Sequence, residues 1–155
     1  METATLDQID IRILRELQNN ARLTNQELSE RVGLSPSPCL RRLRRLETEG
    51  IIRDYTATLD EEKLGLSVAI FMSVKLERQV DSALSTFEAE VRKHPQVVDC
   101  WLMTGENDYL LRILARDLKE YEAFLTGVFT KIPGIASIQS SVSLRRVKAS
   151  QPRVA

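Results

Sequence analysis

The sequence contains little of what a metal site or a disulfide framework needs. Cys39 and Cys100 are the only cysteines, they form no CxxC pair, and His94 is the only histidine. Structural zinc sites and disulfide-stapled folds use several such residues at short spacing. We therefore expect two free thiols, no metal ligands and no cofactor.

Long apolar runs are also missing. No stretch approaches the roughly 20 apolar residues of a membrane-spanning helix. The start of the chain, METATLDQIDIRIL, lacks the basic flank and unbroken apolar core of a secretory signal. We expect a cytoplasmic protein with no membrane partner.

Neither sign of charge prevails, since 22 Lys and Arg residues balance 22 Asp and Glu residues. Binding to a polyanion therefore requires a local cluster of basic side chains. The one dense cluster consists of Arg41, Arg42, Arg44 and Arg45. With 43% hydrophobic and 28% charged residues, the chain is otherwise an ordinary globular sequence. Its 155 residues can form one moderate core or two small ones.

Groups suited to catalysis are scarce. The single histidine leaves no Ser/His/Asp or Cys/His set away from position 94, and the sequence has no glycine-rich phosphate loop. Cys39 has no evident second catalytic group. A small enzyme is therefore only a remote alternative.

Two helices are predicted in the first 33 residues. The first begins at Asp7 and ends near Asn19, with apolar residues at helical spacing: Ile9, Ile13, Leu14 and Leu17. The second begins with a capping box between Thr24 and Glu27 and ends at Gly33, which supplies a left-handed stop.

A third helix begins at Ser35-Pro36 or at Ser37-Pro38, where a serine hydroxyl precedes a proline, and it runs to Gly50. Its leucines fall on one side and its arginines occupy the rest: Leu40, Leu43 and Leu46 against Arg41, Arg42, Arg44 and Arg45. Helix, short helix, turn and basic helix is the order of a DNA-binding helix-turn-helix, here about 25–44. A solvated face whose arginines pair with Glu47 and Glu49 is the alternative. Residues 51–58 are predicted to form a small wing or a strand leading out.

The second half of the chain predicts the order βαββαβ. The strands carry alternating residues: Val68 to Leu76, Val98 to Thr104, Tyr109 to Ala115, and Ile138 to Leu144. The helices carry apolar stripes: Val80, Leu84, Phe87 and Val91, then Leu118, Tyr121, Phe124 or Leu125, and Val128. This order is the ferredoxin-like plan, an antiparallel sheet with both helices on one face.

The other face of the sheet has no cover in this plan. It is predicted to carry Ala69, Phe71, Ser73 and Lys75 from the first strand and Val97, Trp101 and Met103 from the second, or the reverse if the phase is wrong. Exposed Phe, Trp and Met side chains on a sheet favour contact with another subunit.

Three segments together resemble the Lrp/AsnC (leucine-responsive and asparagine-regulator) family of transcription regulators. They are LDQIDIRILRELQNNARLTNQELSERVGLSPSPCLRRLRRLETEGII, TGENDYLLRI and IPGIASIQSSVSLRRVK. The resemblance implies an α+β protein with an N-terminal winged helix-turn-helix domain and a C-terminal ferredoxin-like domain. It also implies dimers joined sheet to sheet, octamers built from four dimers, and a small amino acid as effector.

On this basis we place a DNA-binding domain at 6–58, a connector at 59–66, an effector-binding and oligomerisation domain at 67–148, and a tail at 149–155. The matching positions expected to contact double-stranded DNA are Ser35, Ser37, Pro38, Cys39, Arg41, Arg42, Arg44 and Arg45. Arginine can bind a guanine edge or a phosphate, and the division among the four is open. A dimer presents two such helices, which implies a roughly palindromic operator.

The resemblance also implies effector contacts in and beside the TGENDY loop. Gly105 permits positive φ, so nearby amides can receive a ligand carboxylate, and Asp108 offers a carboxylate to an ammonium group. The remaining expected contacts are Leu102, Thr104, Asn107, Val142 and Ser143. From composition alone, a plain tight turn is the alternative for this loop. An architectural protein that wraps DNA without an effector is the alternative for the whole chain.

Overall fold

The structure is a computed structural model that describes residues 5–148. Its elements are α1 (Gln8–Asn19), α2 (Asn25–Val32), α3 (Pro36–Thr48), β1 (Val68–Leu76), α4 (Asp81–Val91), β2 (Val97–Leu102), β3 (Tyr109–Ala115), α5 (Leu118–Gly127), a 3-10 helix (Phe129–Lys131) and β4 (Ile135–Val142). The chain divides into two compact units between Thr58 and Leu59. The predicted tail, 149–155, lies outside the described residues.

The first two helices begin and end where the sequence predicts. Asp7 caps α1 by accepting the backbone N–H groups of Ile9 and Asp10, and Asp10 accepts the N–H of Asp7 in return. Thr24 and Glu27 form the predicted capping box of α2. Gly33 ends α2 with φ of 73°, in the left-handed region that glycine adopts without strain.

The third helix begins at the first of the two predicted starts, Ser35-Pro36, but its cap and its end differ from the prediction. Ser35 is the N-cap residue, but its hydroxyl makes no capping hydrogen bond, so the predicted side-chain cap is wrong. The helix also ends at Thr48 rather than Gly50. Gly50 instead has φ of 70°, and Ile51 donates its N–H to the carbonyl of Leu46, which closes the helix.

The core of the first unit is a small cluster between the three helices. Its buried members are Ile13, Leu17, Leu28, Val32, Cys39 and Leu46. Leu43 is partly buried and packs against this cluster. Residues 51–58 form neither a wing hairpin nor a strand, so that local prediction is wrong. Ile51 and Ile52 instead pack on the helical core, and the Tyr55 hydroxyl donates to Glu47 over 2.8 Å.

The second unit has the predicted ferredoxin-like topology. Its four antiparallel strands lie in the order β2-β3-β1-β4. One face of the sheet packs against α4 and α5 and forms the main core. The central residues of this core are Ile70, Met72, Val74, Phe87, Tyr109, Leu111, Ile113 and Phe129. The residues of β1 and β3 that the sequence predicts to face inward all lie in or against this core, although Leu114, on the other face of β3, is buried too.

Several members of the predicted apolar patterns lie outside the core, among them Val98, Leu102 and Val142. Val80 precedes α4 as its N-cap residue, and Leu118 is at the exposed start of α5. Leu144 follows the end of β4 and is exposed. Helix α5 also ends at Gly127, and the chain reaches Ile132 through the 3-10 helix.

An irregularity in β2 changes the face of one predicted residue. Val97 pairs with Ile113 and Cys100 pairs with Leu111, with a register shift between Val97 and Asp99. Because directly paired residues share a face, Val97 lies on the helix-covered side. The prediction that Val97 is on the uncovered face is therefore wrong, whereas Trp101, paired with Leu110, does lie there.

Two leucines of this unit give a matched stability test. Leu111→Ala removes a side chain with no exposed surface and should lower the free energy of unfolding by about 2 to 5 kcal/mol through lost burial and a cavity. Leu118→Ala, at a site that is 59% exposed, should change it by less than about 0.5 kcal/mol. Urea unfolding followed by the fluorescence of the single tryptophan, Trp101, measures both. Equal losses in the two variants would contradict the assigned core.

Candidate functional site

The outer face of α3 is the candidate nucleic-acid interface. Ser37, Arg41, Arg44 and Thr48 are exposed and recur at spacings of three and four residues, so they form one stripe. Within residues 5–148, the guanidinium groups of Arg41 and Arg44 have no carboxylate partner. Ser35 is exposed at the N-terminal end of this stripe. The stripe therefore presents free positive charge and hydroxyl groups to a polyanion.

The other two arginines of α3 face α1 instead. Arg42 Nη1 lies 2.6 Å from Asp7 Oδ2 and 2.9 Å from Asp10 Oδ1. Arg45 Nη2 donates to the second oxygen of Asp10. Asp10 itself is only 1% exposed. The sequence leaves the division among the four arginines open; within residues 5–148, Arg42 and Arg45 pair with carboxylates and Arg41 and Arg44 do not.

These contacts also shift the acidity of the groups involved. The Asp10 N–H and then the Arg42 guanidinium lower the pKa of Asp7 to about 2. The carboxylates of Asp7 and Asp10 in turn raise the pKa of Arg42. Asp7 and Arg42 therefore both carry their full charge at neutral pH.

Cys39 does not belong to the interface. Its side chain is fully buried in the core of the first unit, and burial raises the pKa of its thiol. The prediction that Cys39 reaches a base edge is therefore wrong. It occupies the inward side of α3 together with Leu46, where a small apolar side chain fits. Pro38 is half-buried beside it.

A side-chain hydrogen bond fixes the turn between α2 and α3. Asn25, the first residue of α2, donates from Nδ2 to the carbonyl of Pro36 in the first turn of α3, over 2.9 Å. Leu34 donates its N–H to the carbonyl of Ser29, which closes the turn after α2. The two helix beginnings are thus tied together, as a helix-turn-helix requires.

The hairpin loop between β2 and β3 borders a surface cavity of about 200 Å³. We call it the loop cavity, and it is lined by Ser73, Met103, Thr104, Glu106, Asn107, Tyr109 and Leu110. Thr104 and Asn107 are among the predicted effector contacts. The others were missed, although Ser73 and Leu110 could have been found from the β1–β3 register, which pairs them directly. Gly105 has φ of 115° and open space beside its Cα, as the prediction of positive φ requires.

Asp108 has a different role from the predicted one. It is only 4% exposed, and its carboxylate accepts the backbone N–H of Leu76 over 2.7 Å and the Gln79 amide over 2.6 Å. Its own N–H donates to the carbonyl of Val74. The carboxylate is therefore not presented to a ligand; it fastens the loop to the end of β1.

Three further predicted contact residues do not line the loop cavity. Leu102 is exposed at the end of β2, on the edge of the sheet. Val142 pairs with Ile70, whereas Tyr109, at the loop, pairs with Val74 four residues along β1. Because β3 and β4 also lie on opposite sides of β1, Val142 is more than about 13 Å from the loop. Ser143 donates its N–H to Ala69 and lines a second cavity of about 240 Å³ at that far end. Within one chain, these residues and the loop do not form one site.

A helix-turn-helix unit followed by a ferredoxin-like unit defines a DNA-binding transcription regulator with a separate second domain. Two family models match the chain: winged helix-turn-helix DNA-binding over residues 6–53 and Lrp/AsnC ligand binding domain over residues 69–153. The chain belongs to the Lrp/AsnC family. Within residues 5–148, none of the helices has the length and apolar content that a bilayer crossing requires.

Curated relatives and solved structures agree with this assignment. The chain is 48% identical to the Bkd operon transcriptional regulator of Pseudomonas aeruginosa, over 93% of this chain and 94% of the relative. It is 40% identical to the leucine-responsive regulatory protein of Escherichia coli K12, over 94% and 88%. A transcriptional regulator of Neisseria meningitidis, crystallised as an L-Met complex, superposes with a TM-score of 0.90 at 46% identity, covering 94% of each chain. All three relatives are transcription regulators.

The structural role of Asp108 gives a second stability test. Asp108→Asn places an amide nitrogen against one of two N–H donors and leaves that donor unpaired, which should cost about 1 to 3 kcal/mol of unfolding free energy. Glu106→Gln, in the same loop but exposed, should have an effect near zero. Urea unfolding monitored at Trp101 compares them. A neutral Asp108→Asn would show that the carboxylate does not hold the loop.

Proposed function

We propose that this regulator binds a roughly palindromic operator as an oligomer, and that an amino acid bound at the loop cavity modulates its DNA affinity or its assembly. The observation that carries the DNA half is the stripe on α3 with two unpaired arginines. The observation that carries the effector half is the loop cavity, which is too small for a drug-sized ligand and suits a smaller one.

The lining of the loop cavity has the groups that an amino acid needs. Glu106 offers a carboxylate to an ammonium group, and the Thr104 hydroxyl and the Asn107 amide offer donors to a carboxylate. Met103 and Leu110 supply an apolar wall for a side chain. The L-Met complex of the Neisseria regulator and the name of the leucine-responsive relatives support an effector with an apolar side chain.

The uncovered face of the sheet supports self-association. Trp101 is 45% exposed there, and Phe71 and Met103 are exposed on the same face. Burying these side chains against a second copy stabilises a dimer, since exposed aromatic surface on a sheet is unfavourable in water. Four such dimers would form the octamer that the family resemblance implies. A dimer presents two α3 helices, which match half-sites separated by one or more helical turns of DNA.

The remaining parts of the proposal follow from this function. A regulator that binds the chromosome of a prokaryote acts in the cytoplasm. No catalytic activity is proposed, because the related proteins are transcription regulators and the function needs none.

The effector proposal is tested with each of the twenty amino acids. A ligand that binds only the folded protein stabilises it by about 2.7 kcal/mol at 100 times its Kd, so one amino acid should raise the Tm and also change the gel shift of the protein on its own upstream DNA. Glu106→Gln should weaken that response at least several-fold. Glu122→Gln, exposed on α5, is the matched control and should respond normally.

Other outcomes discriminate among the alternatives. A tight gel shift that no amino acid changes would refute the effector proposal and favour an architectural DNA-wrapping protein. An amino acid that raises the Tm equally in the Glu106→Gln variant would place the effector outside the loop cavity.

Self-association is tested by charge insertion on the uncovered face. Trp101→Glu should convert the oligomer to smaller species in sedimentation velocity, because an unpaired carboxylate in an apolar interface is strongly unfavourable. Leu118→Glu places the same charge on the exposed start of α5 and should leave the dimer intact. Unchanged sedimentation of the Trp101→Glu variant would show that the dimer does not use this face.

A further inference from the structure

We propose that Asp10 is a positioning residue of the DNA-binding surface. It holds Arg42 and Arg45 in ion pairs within the unit and leaves Arg41 and Arg44 as the α3 arginines that contact DNA. The inference rests on the DNA-binding function given above, and it divides four adjacent arginines into two roles.

The carboxylate of Asp10 is buried. It accepts three donors: the N–H of Asp7 over 3.1 Å, Arg42 over 2.9 Å, and Arg45. A buried carboxylate that loses its cationic partner is strongly destabilising, because its charge is no longer compensated. A phosphate that competes for Arg42 or Arg45 must therefore offset the exposure of this charge. Arg41 and Arg44 carry no such penalty.

The arginine side chains of α3 point in different directions around the helix axis. Consecutive residues of an α-helix are separated by about 100° around its axis. Arg42 is anchored to the first turn of α1 by contacts with both Asp7 and Asp10. This anchor fixes the rotation of α3 relative to α1, so that Arg41 and Ser37 point away from the core. Asp10 thus determines which side of α3 is presented.

The two pairs of arginines differ in whether their positive charge is free to neutralise a phosphate. A cation that neutralises a phosphate releases a counterion, which contributes about 0.9 to the slope of log K against log salt. Arg42 and Arg45 are already neutralised by carboxylates, so their removal should leave this slope unchanged. Arg41 and Arg44 have no carboxylate partner in the described part of the chain, so each should contribute to it.

The test uses four variants of the full chain: Arg41→Gln, Arg44→Gln, Arg42→Gln and Arg45→Gln. Affinity for a short duplex of random sequence is measured by fluorescence anisotropy between about 50 and 200 mM salt, since counterion release does not depend on sequence. Far-UV circular dichroism gives the Tm of each variant. All affinities are measured at a temperature where every variant is folded.

The two pairs of variants should change different quantities, one the salt dependence of DNA affinity and the other the Tm. Arg41→Gln and Arg44→Gln should each make the slope of log K against log salt shallower by about 0.9 per bound subunit and leave the Tm unchanged. Arg42→Gln and Arg45→Gln should lower the Tm and leave the slope unchanged. Equal loss of slope in folded Arg41→Gln and Arg42→Gln proteins would overturn the division of roles.

Asp10→Asn gives a readout that a merely structural residue would not produce. It removes the charged partner that Arg42 and Arg45 share; Arg42 keeps its ion pair with Asp7, so the release of Arg45 should make the slope steeper by up to about 0.9. A folded Asp10→Asn protein with the original slope would overturn the proposal; if it does not fold, the arginine variants decide. If the unmodified protein showed no salt-dependent affinity, the DNA-binding function itself would be refuted.

Discussion

The second unit is organised by one constraint: both of its helices cover the same face of a four-stranded sheet. The hydrophobic core is complete on that face, from Ile70 to Phe129. The opposite face keeps Phe71 and Trp101 exposed, and the loop cavity opens on the same side through Ser73 and Leu110. The proposed assembly surface and the proposed effector site are therefore neighbours on one sheet. A ligand there can favour one assembly over another only through a difference in affinity between them.

The first unit meets two demands with one short helix. The inward side of α3 closes a small core with Cys39 and Leu46, and its outward side carries unpaired arginines. Between these sides lies a third strip, the ion pairs to Asp10. A chain with no net charge thus gains a basic surface by the local placement of its arginines. The carboxylates of Asp7 and Asp10 pair with two of the four arginines and leave the other two unpaired.

Regular patterns made most of the fold predictable. Strand β1 and the first five residues of β3 alternate, and capping residues mark where α1, α2 and α5 begin. The failures occur where tertiary contacts override a local pattern. The shift between Val97 and Asp99 reverses a face without any change in apolar spacing, and the burial of Cys39 depends on α1 and α2.

The candidate sites were harder to predict than the fold. The arginine cluster identified α3, but only the distances to Asp10 separate its members. Asp108 was expected to face a ligand because it is charged and lies in a loop. Its hydrogen bonds to Leu76 and Gln79 come from residues about thirty positions earlier, which composition does not reveal.

The hairpin loop has a consequence for how such a regulator can diversify. Asp108 fixes the backbone of the loop, while its neighbours Thr104, Glu106 and Asn107 line the loop cavity without belonging to the hydrophobic core. Substitutions at these three positions alter the shape and charge of the cavity at little cost in folding free energy. The proposed ligand selectivity and the structural stability thus depend on adjacent but separate residues, and one can evolve while the other is retained.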